Sequence, residues 1–319
     1  MKILVWHVHG GWMDAFVRGG HHYLLPTTDR GGPWGLGRAG RPWPETVQEV
    51  PVEQLRHSEI DVVVLQRMEE MDAVELLTGR RPGRDMPAIF VEHNTPKGAV
   101  PHSIHPLADQ RGIVVAHVTH FNQMMWYSGR APTVVIEHGV PDPGALYTGV
   151  LAEQAVVVNE PVRRGRVTGT DLLPQFTAAA PVTVYGMGGE QLAGSLGLPE
   201  HRLRWGGDLP ASGLHAGLAR HRLYLHPLRW TSLGLSLIEA MLLAMPVIVV
   251  DATEASRAVP PEAGAVSCNM AELLNAATLL LNDPGEAARR GKIAREAALA
   301  HYSLERFLRD WDVLLHECT

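Results

Sequence analysis

Apolar residues along this chain come in short, nearly unbroken runs separated by polar or Gly/Pro-rich stretches. KILVWHV at 2–8, HYLLPT at 22–27, DVVVLQ at 61–66, AIFVEH at 88–93, GIVVAHV at 112–118 and TVVIEH at 133–138 form one series. Val and Ile dominate these runs and clean alternation is absent, which predicts strands buried on both faces of a parallel sheet. After GVPDPG at 139–144 a second series begins: QAVVVN at 154–159, PVTVYG at 181–186, HRLYLHP at 221–227 and MPVIVVD at 245–251. DLLPQFTAAA, SLIEAMLLA, NMAELLNAATLLLND and DPGEAARRGKIAREAALAHY carry helix formers in amphipathic or buried patterns. This alternation predicts an α/β protein. Two series joined at a Pro/Gly hinge predict two Rossmann-like domains, 1–145 and 146–302, facing one cleft. Ligands in open α/β sheets bind beyond the carboxyl ends of strands, so residues just after each run are the candidates for function. The Gly/Pro-rich stretch 28–46 predicts a long loop.

LHPLRWTSLGLSLIEAM at 225–241 has a single charge after Arg229, Glu239, and the apolar run AMLLAMPVIVV follows it. A buried, unpaired carboxylate costs several kcal/mol, so Glu239 must be satisfied locally, by a partner element or by a ligand. A strand before LRWTSLG and a helix after it make this loop a phosphate site. Residues 232–236 offer N–H groups at the positive end of the helix dipole, and Gly234 allows close backbone approach. The same letters also read as a capping box from Ser236 to Glu239, in which the carboxylate merely satisfies a backbone N–H. From this stretch alone both readings stand.

Composition narrows the field. A chain of 319 residues is long for one core. Net charge is −6 and no Lys/Arg block occurs, which argues against a nucleic-acid or anionic-membrane surface. Lysine occurs only at Lys2, Lys97 and Lys292, so arginine supplies nearly all positive charge. Cys268 and Cys318 give neither a disulfide framework nor a metal spacing. The opening apolar run is too short for a signal peptide or a membrane span, and a cytoplasmic protein is expected. Among 17 histidines, His7 and His9 would share one strand face, with His102 and His105 as a further pair. No cysteine or carboxylate completes a site at diagnostic spacing, so no metal and no cofactor is expected.

At 234–247 the chain resembles retaining glycosyltransferases of family 4, which have the GT-B fold. Gly234-Leu235, Glu239-Ala240-Met241 and Pro246-Val247 stand where that family's signature has its matching letters. The resemblance implies that Glu239 accepts hydrogen bonds from the ribose hydroxyls of a nucleotide sugar. The loop Thr231, Ser232, Leu233, Gly234, Leu235 would hold the diphosphate on its amides. The family's first Glu, eight positions earlier, falls on Thr231, which has one hydroxyl and no charge. The usual Gly before Pro-Val is Ala244.

The resemblance extends, more loosely, along the rest of the chain. Gly10 and Gly11 stand at a glycine-rich turn that would let the backbone reach the donor phosphate; an ordinary tight turn is the competing reading. His93, at a strand end, is the candidate catalytic group, as a neutral imidazole touching a sugar hydroxyl or the developing charge. Trp12, Asn94, His120 and Asn122 are candidates for the acceptor side. His138 takes the Asn place in the family's hinge. Arg163, Arg164 and Arg166 would clamp the diphosphate bidentately, although Glu160 stands where the family's Arg is expected. Gly186, Gly188 and Gly206 would border the base. HYSLERFLRDWDVLL at 301–315 resembles the family's last helix, so 303–319 would pack back on the first domain through Phe307 and Trp311.

The resemblance implies transfer of a sugar from a nucleotide-diphosphate sugar to an unknown glycan or small-molecule acceptor, with retention. Two rivals remain at this point. One is a binding protein whose turnover is impaired by Thr231; the other is a GT-B epimerase acting on the nucleotide sugar itself.

Overall fold

The computed structural model describes all 319 residues. They form two compact units, Met1–Pro141 with Leu304–Thr319, and Asp142–Ser303. Unit 1 is built on seven strands: β1 (Lys2–Val5), β2 (His22–Thr27), β3 (Val47–Pro51), β4 (Val62–Leu65), β5 (Ala88–Glu92), β6 (Val114–His117) and β7 (Thr133–Val135). All pairs are parallel, in the order β3-β2-β1-β4-β5-β6-β7. The unbroken apolar runs are explained by two cores, one per face. Ile3, Val5, Val62 and Val64 pack on one side with Trp12, Phe16, Phe307 and Trp311. Leu4, Trp6, Val63 and Leu65 pack on the other with Leu55 and Val74. The helix Leu304–Cys318 belongs to the first core because Phe307, Trp311, Leu314 and Leu315 fall on one stripe.

Unit 2 has six parallel strands: β8 (Leu151–Val157), β9 (Val182–Tyr185), β10 (Leu203–Gly207), β11 (His221–His226), β12 (Val247–Val250) and β13 (Gly264–Ser267). Their order is β10-β9-β8-β11-β12-β13. In both sheets the chain winds outward one way, then returns to wind the other way. This creates a switch point between β1 and β4, and another between β8 and β11.

The structure departs from the sequence expectations in several places. β3, β10 and β13 were not foreseen. DLLPQFTAAA yields only a 3-10 turn, Thr170–Leu172, and one short helix, Leu173–Phe176. Gln154 Nε2 ends that helix by donating to the carbonyls of Phe176 and Ala180, both at 2.9 Å. His7 and His9 do not share a strand face, because β1 stops at Val5. His9 is instead the N-cap of the helix Gly10–Phe16, and His7 Nδ1 lies 2.9 Å from the Gly37 carbonyl. The loop 28–46 is anchored to that helix: Arg41 and Trp43 Nε1 both donate to Asp14, at 2.5 and 2.6 Å.

Candidate functional site

The unit 2 switch point is flanked by the turns after β8 and β11. The segment after β11, residues 227–234, leads into the helix Leu235–Leu242. Gly234 is its N-cap, with extended backbone (φ −71°, ψ 124°) and no side-chain cap. Ser236 is therefore inside the helix, and its Oγ receives the Tyr224 hydroxyl at 2.9 Å. The capping box is excluded: Ser236 is not the N-cap, and Glu239 lies two residues beyond the position from which a side chain returns to it. No protein acceptor meets the N–H groups of Leu233, Gly234, Leu235 or Ser236, as expected for a helix start. Gly234 is required for packing here, since a Cβ would lie 2.7 Å from His226 Cε1.

Glu239 is the part of this arrangement that protein contacts leave unsettled. Its side chain is 25 % exposed, and the basic group beside it is His215, with Nε2 at 3.6 Å, too long for a hydrogen bond. His215, on the helix Ala211–Leu218, carried no sequence signal that would have linked it to Glu239. Thr231 is half-buried and its hydroxyl has no protein partner.

The turn after β8 leads to the arginines. Glu160 sits in the left-handed region (φ 52°) and caps a helix, Pro161–Thr168, that breaks at Gly165. Arg163 pairs with Glu160, and Arg166 with Asp171 at 3.1 Å. Arg164 is half-buried and meets no carboxylate; burial, and then repulsion from Arg163, pull its pKa below the usual guanidinium range. The segment is held against the β11 turn by contacts that sequence reasoning missed. Arg229 clasps Asp171 through both guanidinium nitrogens, at 2.6 and 3.1 Å. Its backbone N–H donates to Val167 O at 3.0 Å. Gly169 (φ 69°) lets the chains meet, because a Cβ there would sit 1.8 Å from Pro227 O. The unpaired Arg164 and the open amides at 233–236 are thus on two segments locked together.

Of the glycines assigned to the base, Gly186 (φ 114°) sits against Asn159 Oδ1, which also accepts Met187 N–H at 3.1 Å. Gly188 has positive φ (70°) with Glu160 as its nearest neighbour. Gly206 is filled by packing, with a Cβ only 2.5 Å from the Tyr185 ring.

In unit 1 the residues after β1, β4 and β5 converge. Gln66 Nε2 donates to Trp6 O at 2.8 Å, which turns its Oε1 toward His93 Nε2 at 3.1 Å. By this assignment His93 carries its proton on Nε2. His93 is buried, packs against His9 with the rings tilted and 4.0 Å between centroids, and meets Trp12 edge-on. Burial, then the charges of His9 and His138, hold its pKa well below the ordinary value, so it is neutral. Gln66 gave no signal in the sequence, because only the fold brings β4 beside β1.

Several predicted residues are placed otherwise than expected. Gly10 and Gly11 start a helix rather than a turn, and the Arg41 guanidinium covers Gly10 so closely that a side chain there would collide with it. Trp12 is 2 % exposed, in the aromatic core with Phe16, Phe307 and Trp311, so only its edge toward His93 remains near the strand ends. Asn122 is fully buried, because Thr119 Oγ1 caps its N–H and its amide points at Glu92 O. Asn94 and His120 are exposed. His138 is buried, its carbonyl takes Arg306 at 2.6 Å, and burial lowers its pKa to about 4.

Residues 170–283, all within unit 2, match the family model of glycosyl transferases group 1. The solved structures that resemble the whole chain agree on architecture. Anabaena Alr3699/HepE in complex with UDP and glucose matches with TM-score 0.74 and 15 % identity, over 99 % of this chain and 100 % of that one. Sucrose-phosphate synthase (tll1590) from Thermosynechococcus elongatus matches with TM-score 0.73 and 16 % identity, over 99 % and 98 %. A glycosyltransferase from Rickettsia africae ESF-5 gives 0.71 and 14 %, over 99 % and 98 %. The fold is GT-B, as the motif at 234–247 implied. No curated protein matches the sequence.

Proposed function

We propose that this protein is a glycosyltransferase that takes a sugar from a nucleotide-diphosphate sugar and passes it, with retention, to a glycan or small-molecule acceptor. The observation that carries this reading is Glu239, a carboxylate on an otherwise uncharged helix that no protein hydrogen bond satisfies. Two neighbouring ribose hydroxyls match its two oxygens. The amides of 233–236 and the unpaired Arg164 suit the diphosphate, one by dipole and one by charge. The group 1 glycosyl transferase match and the nucleotide complexes of Alr3699/HepE, which include UDP-glucose, support a donor of this class.

The chemistry expected is electrostatic. As the diphosphate leaves, negative charge builds on it, and the helix start and Arg164 are placed to stabilise that charge. His93, a neutral imidazole at a strand end, is proposed to touch a sugar hydroxyl or the developing charge. No protein nucleophile is proposed, and none of these steps uses a metal.

Thr231 favours a second reading, a nucleotide-sugar-binding protein with little turnover, because one neutral hydroxyl replaces a carboxylate. Incubation with UDP-glucose and other nucleotide sugars, with and without saccharide acceptors, separates the two. Release or transfer of sugar supports the enzyme; tight binding with every donor left intact supports the binding protein.

A further inference from the structure

The net charge of −6 argues against an anionic partner only if charge is spread evenly, and it is not. Residues 94–133 contain three cations, Lys97, Arg111 and Arg130, against a single carboxylate, Asp109. The same stretch exposes apolar side chains: Met124 by 73 %, Tyr127 by 65 %, Val100 by 63 % and Ile104 by 60 %. They are contiguous. Ile104 and Tyr127 bridge, and the Ser103 carbonyl receives Tyr127 N–H at 2.8 Å. Val100, Met124 and Tyr127 line one groove of about 550 Å³ with Trp126. Cations flank these residues along the chain. Lys97 is three residues from Val100, and Arg130 follows Gly129 of the groove wall. Arg130 also donates to Asp109 O at 2.7 Å, which brings the Arg111 turn alongside.

The patch is a built surface rather than a frayed loop. Thr119 caps the helix His120–Met125, and Trp126 Nε1 donates to Asn94 O at 2.8 Å. An ordinary surface scatters its exposed apolar residues singly, whereas a cluster of this kind marks an interaction site. Aromatic rings beside aliphatic anchors, with cations at the margin, suit the boundary between acyl chains and anionic headgroups.

We propose that this face docks the protein peripherally on a bilayer containing anionic phospholipid. Val100, Ile104, Met124 and Tyr127 enter the interfacial layer while Lys97, Arg111 and Arg130 meet lipid phosphates. No helix is long and apolar enough to cross a membrane, so the contact is one of surface only. Docking does not depend on sugar transfer, and it can hold or fail whatever the outcome at Glu239.

Flotation of the full chain with vesicles tests this, using phosphatidylcholine alone or with about 30 % phosphatidylglycerol. The chain is expected to float with the anionic vesicles. Binding should fall about tenfold on phosphatidylcholine or in about 0.5 M salt, where the Debye length is short. Met124→Asp with Tyr127→Asp should weaken flotation more than about tenfold by placing charge in the interfacial layer, with the thermal midpoint unchanged because both side chains are exposed. Lys97→Glu with Arg130→Glu should abolish the preference for anionic vesicles. Three results overturn the proposal: no flotation with either vesicle, flotation indifferent to the apolar double variant, or a dimer in sedimentation that this variant makes monomeric. The last would show that a second copy covers the patch.

Discussion

Replacing Glu239 by Ala removes a charge that no hydrogen bond of the protein holds, so stability and ligand binding should separate. Unfolding free energy should change by less than about 1 kcal/mol, since the group is neither a cap nor a buried pair. UDP affinity, by titration calorimetry, should fall roughly 10- to 100-fold, the loss of a charged hydrogen-bond acceptor. The opposite pattern, lost stability with affinity intact, would return the residue to a structural role. Arg164 and Arg163 allow a similar contrast. Arg164→Ala should weaken UDP binding about tenfold or more, whereas Arg163→Ala should have little effect, because Arg163 is exposed and already paired with Glu160. Three buried histidines set a pH dependence. Burial lowers His117 and His138 to about 4 and His226 to about 3. With folded values below the unfolded one, the unfolded chain takes up protons first. Stability is therefore complete above pH 6.5 and falls as pH drops toward 4, by at most about 1.4 kcal/mol per pH unit per histidine. Urea midpoints across that window should show the decline, and His117→Leu should make it shallower.

At the scale of elements, much was legible because strands buried on both faces write themselves as apolar runs. β1, β4, β5, β11 and β12 were visible for that reason, and each lies inside its sheet. β3, β10 and β13 were missed for the converse reason. All three are edge strands, and VQEVP, LRWGG and GAVS are short, polar or glycine-containing. The helix at Glu239 was legible, but its cap was not. Ser236 has the right letter at the right spacing, and Gly234 takes the cap because its close approach to His226 fixes where the helix begins. Long-range contacts left no trace in local sequence: Asp171 with Arg229, Gln66 with His93, and Asp14 with Arg41 depend on which strands become neighbours. Gly169 tests one such junction. Gly169→Ala faces both a positive φ and the Pro227 carbonyl. It should lower stability by roughly 1–3 kcal/mol in thermal unfolding and weaken UDP binding, by loosening the arginine segment from the β11 turn.

For the molecule as a whole, each Rossmann-like unit places its unsatisfied or tuned polar groups where its sheet reverses direction: Glu239, Arg164 and the open amides in one, Gln66 and His93 in the other. General features of α/β sheets account for the location, and residues 170–283 of unit 2 match the group 1 glycosyl transferase model. The residues of the acceptor side are less well accounted for, because Trp12 and Asn122 prove to be core residues and the loop 28–46 has no sequence periodicity to read. Structure determination of the protein with UDP bound tests the central claim most directly. The diphosphate is expected about 3 Å from the amides near Gly234, with both ribose hydroxyls on Glu239. UDP bound elsewhere in the crystal, with Glu239 still facing only His215, would contradict it.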